Sequence, residues 1–212
     1  MNRIITIGRQ FGSGGREIGE KLAKRYNIKF YDKDLLKRAA KESGICSELF
    51  ENNDEKPTGS FLYNLVTDTY SFGFSSPYIE MPLSHKVFLA QFDTIKKIAQ
   101  EGPCVIVGRC ADYALAETGK CLSVFIHAGW EDRIERIKSK FPDEKDPAKI
   151  KDMIIKTDKA RANYYNYYSS KKWGRAESYD LCVNSSILGI DGTVDMISAF
   201  IDKESVINEK NK

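Results

Sequence analysis

Ile4-Ile5-Thr6-Ile7-Gly8-Arg9-Gln10-Phe11-Gly12-Ser13-Gly14-Gly15-Arg16-Glu17-Ile18-Gly19 is the stretch from which the rest of the chain is read. A β-branched run enters a glycine-rich turn. The turn leads into a helical pattern over 16–26, with Ile18, Leu22 and Tyr26 on one face. Strand, glycine loop and helix in this order wrap backbone N–H groups around a phosphate. The plainer reading is a tight turn with close helix packing. The usual phosphate loop closes on Gly-Lys-Ser/Thr. Here Gly12-Ser13-Gly14 aligns with the Gly-x-Gly before that lysine, which puts Gly15 at the lysine and Arg16 at the Ser/Thr. Arg16 or Arg9 is the candidate replacement charge, since guanidinium binds phosphate bidentately. Glu17 is either a partner for the helix dipole or a group reaching a metal.

Outward from this stretch, apolar runs alternate with amphipathic ones. Strands are expected at 29–32, 104–109, 122–128 and 179–184, and helices at 34–41, 87–100, 111–117, 130–140, 148–168 and 190–202. Residues 42–84 are irregular, but their aromatics (Phe50, Phe61, Tyr63, Tyr70, Phe72, Phe74, Tyr78) argue for a packed lobe rather than disorder. Alternation of this kind implies an α/β fold with right-handed crossovers and a mostly parallel sheet. Ligands then bind at the carboxyl ends of the strands. Gly8–Arg16, Asp32, Gly108-Arg109 and Asn184-Ser185 all fall there.

At 212 residues the chain suits one domain. A net charge of +3 is too small to argue for nucleic acid. The odd cysteine set (Cys46, Cys104, Cys110, Cys121, Cys182) has no metal or disulfide spacing, and two histidines exclude a histidine-rich metal site. No leader and no membrane-length apolar run is apparent, so the expected location is the cytoplasm, without membrane contact.

The opening stretch, together with Phe30-Tyr31-Asp32-Lys33-Asp34, Val105-Ile106-Val107-Gly108-Arg109-Cys110-Ala111-Asp112-Tyr113 and Tyr179-Asp180-Leu181, resembles the cytidylate kinase-like family. This is a branch of the P-loop nucleoside monophosphate kinases. The resemblance spans nearly the whole chain and is loosest over 42–84. It implies a three-layer α/β/α P-loop fold with a five-stranded parallel sheet, within one domain over 1–203. A helical monophosphate-binding lobe is expected at 32–100, a lid at 141–176 and a flexible tail at 204–212.

The resemblance also implies γ-phosphoryl transfer from ATP, with Mg²⁺, to a nucleoside monophosphate or similar small phosphorylated acceptor. It sets Gly12, Ser13, Gly14, Gly15, Arg16, Glu17 and Arg133 at the donor phosphates. Asp32, Arg109, Asp112 and Asp158 fall at the acceptor, and Arg16, Arg109 and Arg161 carry the catalysis. Small-molecule nucleotides are the expected partners, a homo-oligomer is allowed, and no protein metal ligand is assigned.

Each assignment has a structural counterpart. Asp32 suits a helix N-cap. Asp158 and Arg161 suit a solvated helix face, and Arg133 and Arg136 an exposed one. Asn163-Tyr164-Tyr165-Asn166-Tyr167-Tyr168 reads better as core packing or a subunit interface than as base stacking. Two departures weigh on activity and specificity. The loop lysine is absent, and Cys110 stands where true cytidylate kinases carry a base-reading aspartate. The alternative function is a nucleotide- or anion-binding regulatory protein on the same fold.

Overall fold

The computed structural model describes residues 3–45, 49, 55, 82–119, 121–144 and 146–210. Most of the irregular 42–84 stretch, with its seven aromatics and Cys46, lies outside the described residues.

Five strands form one parallel sheet: β1 (Ile4–Arg9), β2 (Lys29–Tyr31), β3 (Cys104–Val107), β4 (Cys121–His127) and β5 (Leu181–Asn184), in the order β2-β3-β1-β4-β5. β1 is central, with Ile5 opposite Val105 on β3 and Leu122 on β4. Around the sheet run α1 (Gly15–Arg25), α2 (Lys33–Ser43), α3 (Leu83–Glu101), α4 (Ala111–Ala114), α5 (Trp130–Lys140), α6 (Pro147–Tyr168) and α7 (Ser185–Lys210).

The pleat sorts the strand residues to two faces. Ile5, Ile7, Val105, Val107, Val124 and Ile126 pack with Ile18 and Leu22 of α1 and Val194, Ile197 and Ile201 of α7. Ile4, Cys104 and Ile106 face the other way, onto Leu35 of α2, Ile95 and Ile98 of α3, and Ala111 and Ala114 of α4. Helices cover both faces, so the strands are apolar on both sides, as parallel sheets require. The fold is the expected α/β/α arrangement.

Element boundaries follow local chemistry. α6 starts where Asp146 accepts from the Ala148 N–H at 2.9 Å and Pro147 takes the first helical position. α4 is shorter than the expected 111–117 helix, passing into a 3₁₀ turn over Ala116–Thr118 that Gly119 ends at φ +62°. α7 is broken at Gly189 (φ 65°, ψ −174°), one residue before the expected helix start. The tail expected to be flexible from 204 is helical to Lys210, and Arg3 pairs with Glu204 at 2.5 Å. The tyrosine run of α6 is core: Tyr164, Tyr165 and Tyr168 are buried with Phe88, whose ring stacks on Tyr168 at 3.9 Å.

Candidate functional site

The loop between β1 and α1 sits at the carboxyl ends of the central strands. Gly12 (φ 80°) and Gly14 (φ 79°) are left-handed, which turns the chain sharply before α1. Close neighbours also require them. A Cβ on Gly12 would lie 2.7 Å from the Arg133 carbonyl oxygen, and one on Gly14 would overlap the Ile190 side chain. Gly14 holds the N-cap position of α1 and has no side chain to cap it, and of the first amides the Gly15 N–H has a long 3.4 Å contact to Ser13 Oγ. These are the features of a phosphate cradle.

The loop is clamped from outside. The Phe11 N–H donates to Asp158 Oδ1 at 2.7 Å, and Arg133 Nε donates to the Phe11 carbonyl at 2.7 Å. Arg133 and Asp158 pair with each other, and the Arg133 side chain is 4% exposed. Arg136 Nη1 donates to the Gly12 carbonyl at 3.2 Å. Ser13 is fully buried: its hydroxyl accepts from the Gly15 N–H at 3.4 Å and its carbonyl accepts from Ser185 Oγ at 2.7 Å. Arg133 and Asp158 therefore hold the loop's shape. Asp158, expected at the acceptor, has both its oxygens engaged, one by the Phe11 N–H and one by Arg133. Ser13 contributes backbone here, and its side chain is turned inward.

Arg16 does not lie in the loop. Its Nε donates to Asp32 Oδ2 at 2.8 Å, Nη1 reaches Glu20 at 3.2 Å, and the guanidinium sits 5.7 Å from the Phe30 ring centre. Position 16 of α1 faces the end of β2, where Asp32 offers the opposite charge. Arg16 is thus placed at Asp32, not at the loop amides where the lysine replacement was expected. Asp32 occupies the N-cap position of α2 but makes no side-chain cap. Its carboxylate serves Arg16 and Arg109 instead. Arg109 is buried, and its Nη1 donates to the carbonyls of Asp32 at 3.0 Å and Val107 at 3.1 Å, tying β2 to β3. Glu17 is exposed and lies 3.5 Å from Lys21, the simple helix-surface arrangement.

Asp112 accepts from the Tyr165 hydroxyl at 2.6 Å and lies 3.5 Å from Lys171 Nζ. Burial pushes its carboxyl up, against the pull of Tyr165 and Lys171. Cys110 is buried against the Phe88 and tyrosine cluster, and burial pushes its thiol well above the ordinary value. Neither group is freely presented for base recognition.

The charge beside the loop comes from Arg9 and Arg161, which meet at Glu55. Arg9 Nη1 and Nη2 donate to the two Glu55 oxygens at 2.5 and 3.1 Å, and Arg161 Nε donates to Oε2 at 3.0 Å. The Arg109 N–H donates to Oε1 at 3.2 Å. Arg161 Nη1 also reaches the Arg9 carbonyl at 3.4 Å, joining this cluster to the loop. Burial alone would raise the Glu55 carboxyl, but Arg9, Arg161 and Arg109 outweigh it and hold it far below the carboxylate range. Burial and the like charge of Arg9 lower Arg161, and Glu55 and Asp158 oppose them only in part. Sequence reasoning missed Glu55. No local pattern distinguishes it within 42–84, and its partners lie 46, 54 and 106 residues away.

A phosphate loop at the switch point of a parallel sheet, with arginines converging beside it, defines a P-loop kinase-type α/β protein. The chain belongs to the cytidylate kinase-like family, whose model matches residues 4–187. A cytidylate kinase from Methanocaldococcus jannaschii is 27% identical over 203 residues, covering 94% of this chain and 97% of that protein. The crystal structure of an uncharacterized protein from Eubacterium ventriosum has a TM-score of 0.71 at 30% identity, over 94% of this chain and 98% of the other. Shikimate kinase from Bacteroides thetaiotaomicron matches at a TM-score of 0.53 and 13% identity, over 95% of this chain and 99% of the other, a likeness of fold.

Proposed function

We propose that the protein is a nucleotide-dependent phosphotransferase that moves the γ-phosphoryl group of ATP to a nucleoside monophosphate or similar small phosphorylated acceptor. The observation that carries this reading is the adjacency of two anion sites. One is the glycine cradle over 12–15. The other is the cluster of Arg9, Arg161 and the Arg109 N–H, joined to the cradle through the Arg9 backbone. A donor phosphate and an acceptor phosphate held side by side are the minimum for in-line transfer, which asks for positioning and charge rather than a strong base.

The cradle fits a nucleotide's phosphates. A Cβ at Gly12, Gly14 or Gly15 would fill it or collide with its walls. Within the cradle the backbone N–H groups at the start of α1 hold the donor phosphates, and Arg133 with Asp158 keeps that backbone in place. Arg9 and Arg161 supply the charge that the missing lysine would give. Among the described residues no three His, Cys, Asp or Glu side chains gather as a metal cluster. Mg²⁺ suits the site as an ion carried on the nucleotide's own phosphates. When bound it neutralises phosphate charge. The M. jannaschii relative is a cytidylate kinase, which makes cytidine monophosphate the first acceptor to test.

The test is a coupled ADP-release assay with CMP, dCMP, UMP and AMP. Turnover with at least one acceptor is expected, and Arg161→Ala should reduce it by roughly a hundredfold or more. ATP binding by calorimetry without turnover on any acceptor would replace the enzyme reading with that of a nucleotide-binding regulator.

A further inference from the structure

We propose that the Glu55 carboxylate is a tethered competitor for the acceptor's anionic group, so that the crevice beside the phosphate loop admits only ligands that bring a dianion. This inference rests on the acceptor-site reading above. It concerns what occupies that site in the resting protein and what can displace it.

Glu55 is bound as an external anion would be. Its two oxygens take the fork of Arg9, and Arg161 Nε and the Arg109 N–H complete the set at 3.0 and 3.2 Å. Fork-to-fork contact of this kind is how arginine recognises carboxylate and phosphate ligands. The backbone is shaped around the anion. Gly108, Arg109 and Cys110 all have left-handed φ values of 77°, 56° and 54°, two of them on residues with a Cβ. Such strain persists where the surroundings fix it, and here it aims the Arg109 N–H at Glu55. A Cβ on Gly108 would overlap both Arg9 Nη1 and Glu55 Oε1, so glycine there is what lets the carboxylate enter.

Space and charge carry the inference further. The crevice lined by Arg9, Glu55, Arg161, Tyr165, Trp173 and Tyr179 retains about 20 Å³ with Glu55 in place. That is room on the scale of one water, whereas small-molecule sites run to roughly 300 Å³ or more. An acceptor reaches the arginines only by displacing the carboxylate. Two guanidinium groups, Arg9 and Arg161, hold the single Glu55 charge, while Asp112, which also lines the crevice, is paired with Lys171; a phosphate monoester dianion matches both guanidinium groups. A monocarboxylate ligand offers no more charge than Glu55, which is already present at the millimolar effective concentration of a tethered group. A neutral hydroxyl acceptor offers less.

Calorimetry with inorganic phosphate at pH 8 tests this on the full chain, with sodium acetate as the monoanion. Removing an internal competitor raises apparent affinity by the inverse of the fraction of time the site stood free of it. Glu55→Gln should bind phosphate at least about tenfold more tightly than the native protein. Glu55→Asp, one methylene short of spanning both arginines, should show a smaller gain. Adding Arg161→Ala to Glu55→Gln should erase the gain. Unchanged phosphate affinity in the folded Glu55 variants overturns the proposal, and Glu55→Asp serves alone if the glutamine variant does not fold. Acetate binding to the native protein as tightly as phosphate overturns the dianion requirement. Tighter phosphate binding supports the competitor role even where ADP release fails with every acceptor, an outcome that removes the kinase reading alone.

Discussion

Two buried carboxylates respond to pH in opposite directions. Glu55 has its folded value depressed by Arg9, Arg161 and Arg109 against the effect of burial. Its stabilisation is therefore complete above the unfolded value of about 4.3 and is lost as pH falls below it. Asp112 has its value raised by burial. Its contribution is fully present below the unfolded value of about 3.9 and is lost as pH rises through the folded value. Glu55→Gln leaves buried guanidinium charge uncompensated and should cost about 3 kcal/mol in urea unfolding at pH 7. That deficit should narrow below about pH 4.3. Asp112→Asn should move the other way, gaining on the native protein as pH rises from about 4. Parallel urea titrations at pH 3.5, 5 and 7 separate the two, and a Glu55→Gln deficit independent of pH would remove the ion cluster as its cause.

At the scale of elements, the left-handed glycines differ in what surrounds them. Gly189 breaks α7 at φ 65°, and a Cβ there meets nothing within 4 Å. Gly189→Ala should cost only the backbone strain of this conformation, about 1–3 kcal/mol. Gly12 has a similar φ of 80°, but its Cβ would meet the backbone of Arg133 at 2.7 Å. Backbone cannot step aside as a side chain can. Gly12→Ala should cost more than the strain alone and should abolish the thermal shift produced by ATP, which Gly189→Ala keeps. Equal effects of the two variants would show that the clamp leaves the loop free to relax. Boundaries set by local chemistry were legible in the sequence. α6 starts at Pro147, one residue before the expected 148, and the β-branched runs of β1, β3 and β4 follow from burial on both sheet faces. The break at Gly189 lies one residue before the expected start of the last helix, whereas the helical turn at 185–188 ahead of it was not expected. The persistence of helix to Lys210 was not legible, since the contact of Glu204 is with Arg3 at the far end of the chain.

At the scale of the molecule, the site is assembled from residues that sequence distance hides. The strand order β2-β3-β1-β4-β5 brings the ends of β1 and β3 together, and Arg9 and Arg109 with them. Sequence pattern could name the arginines but not their partners. Arg16 read as a phosphate ligand because it follows the glycines, yet α1 turns it to Asp32. Arg133 and Asp158 read as helix-surface charge or ligand contacts, yet they meet across 25 residues to grip Phe11. The loop's shape thus depends on α5 and α6, which pack together through Ile137, Ile150 and Ile154. Asp158→Ala removes the acceptor for the Phe11 N–H and leaves Arg133 buried without its partner, a loss of about 3–5 kcal/mol. Its effect on ligand binding is separable from that loss. A ligand present at 100 times its Kd stabilises the native state by about 2.7 kcal/mol, worth roughly 5–11 °C in a domain of this size. The native protein should show a rise of that order with saturating ATP and Mg²⁺. Asp158→Ala should melt lower and lose the rise at the same nucleotide concentration. Asp158→Asn, which keeps an oxygen for the Phe11 N–H while losing the charge, should melt lower yet retain part of the rise. If Asp158→Asn and Asp158→Ala both melt lower but keep the full rise, the loop holds its shape without α6, and the clamp is a stability feature rather than part of the nucleotide site.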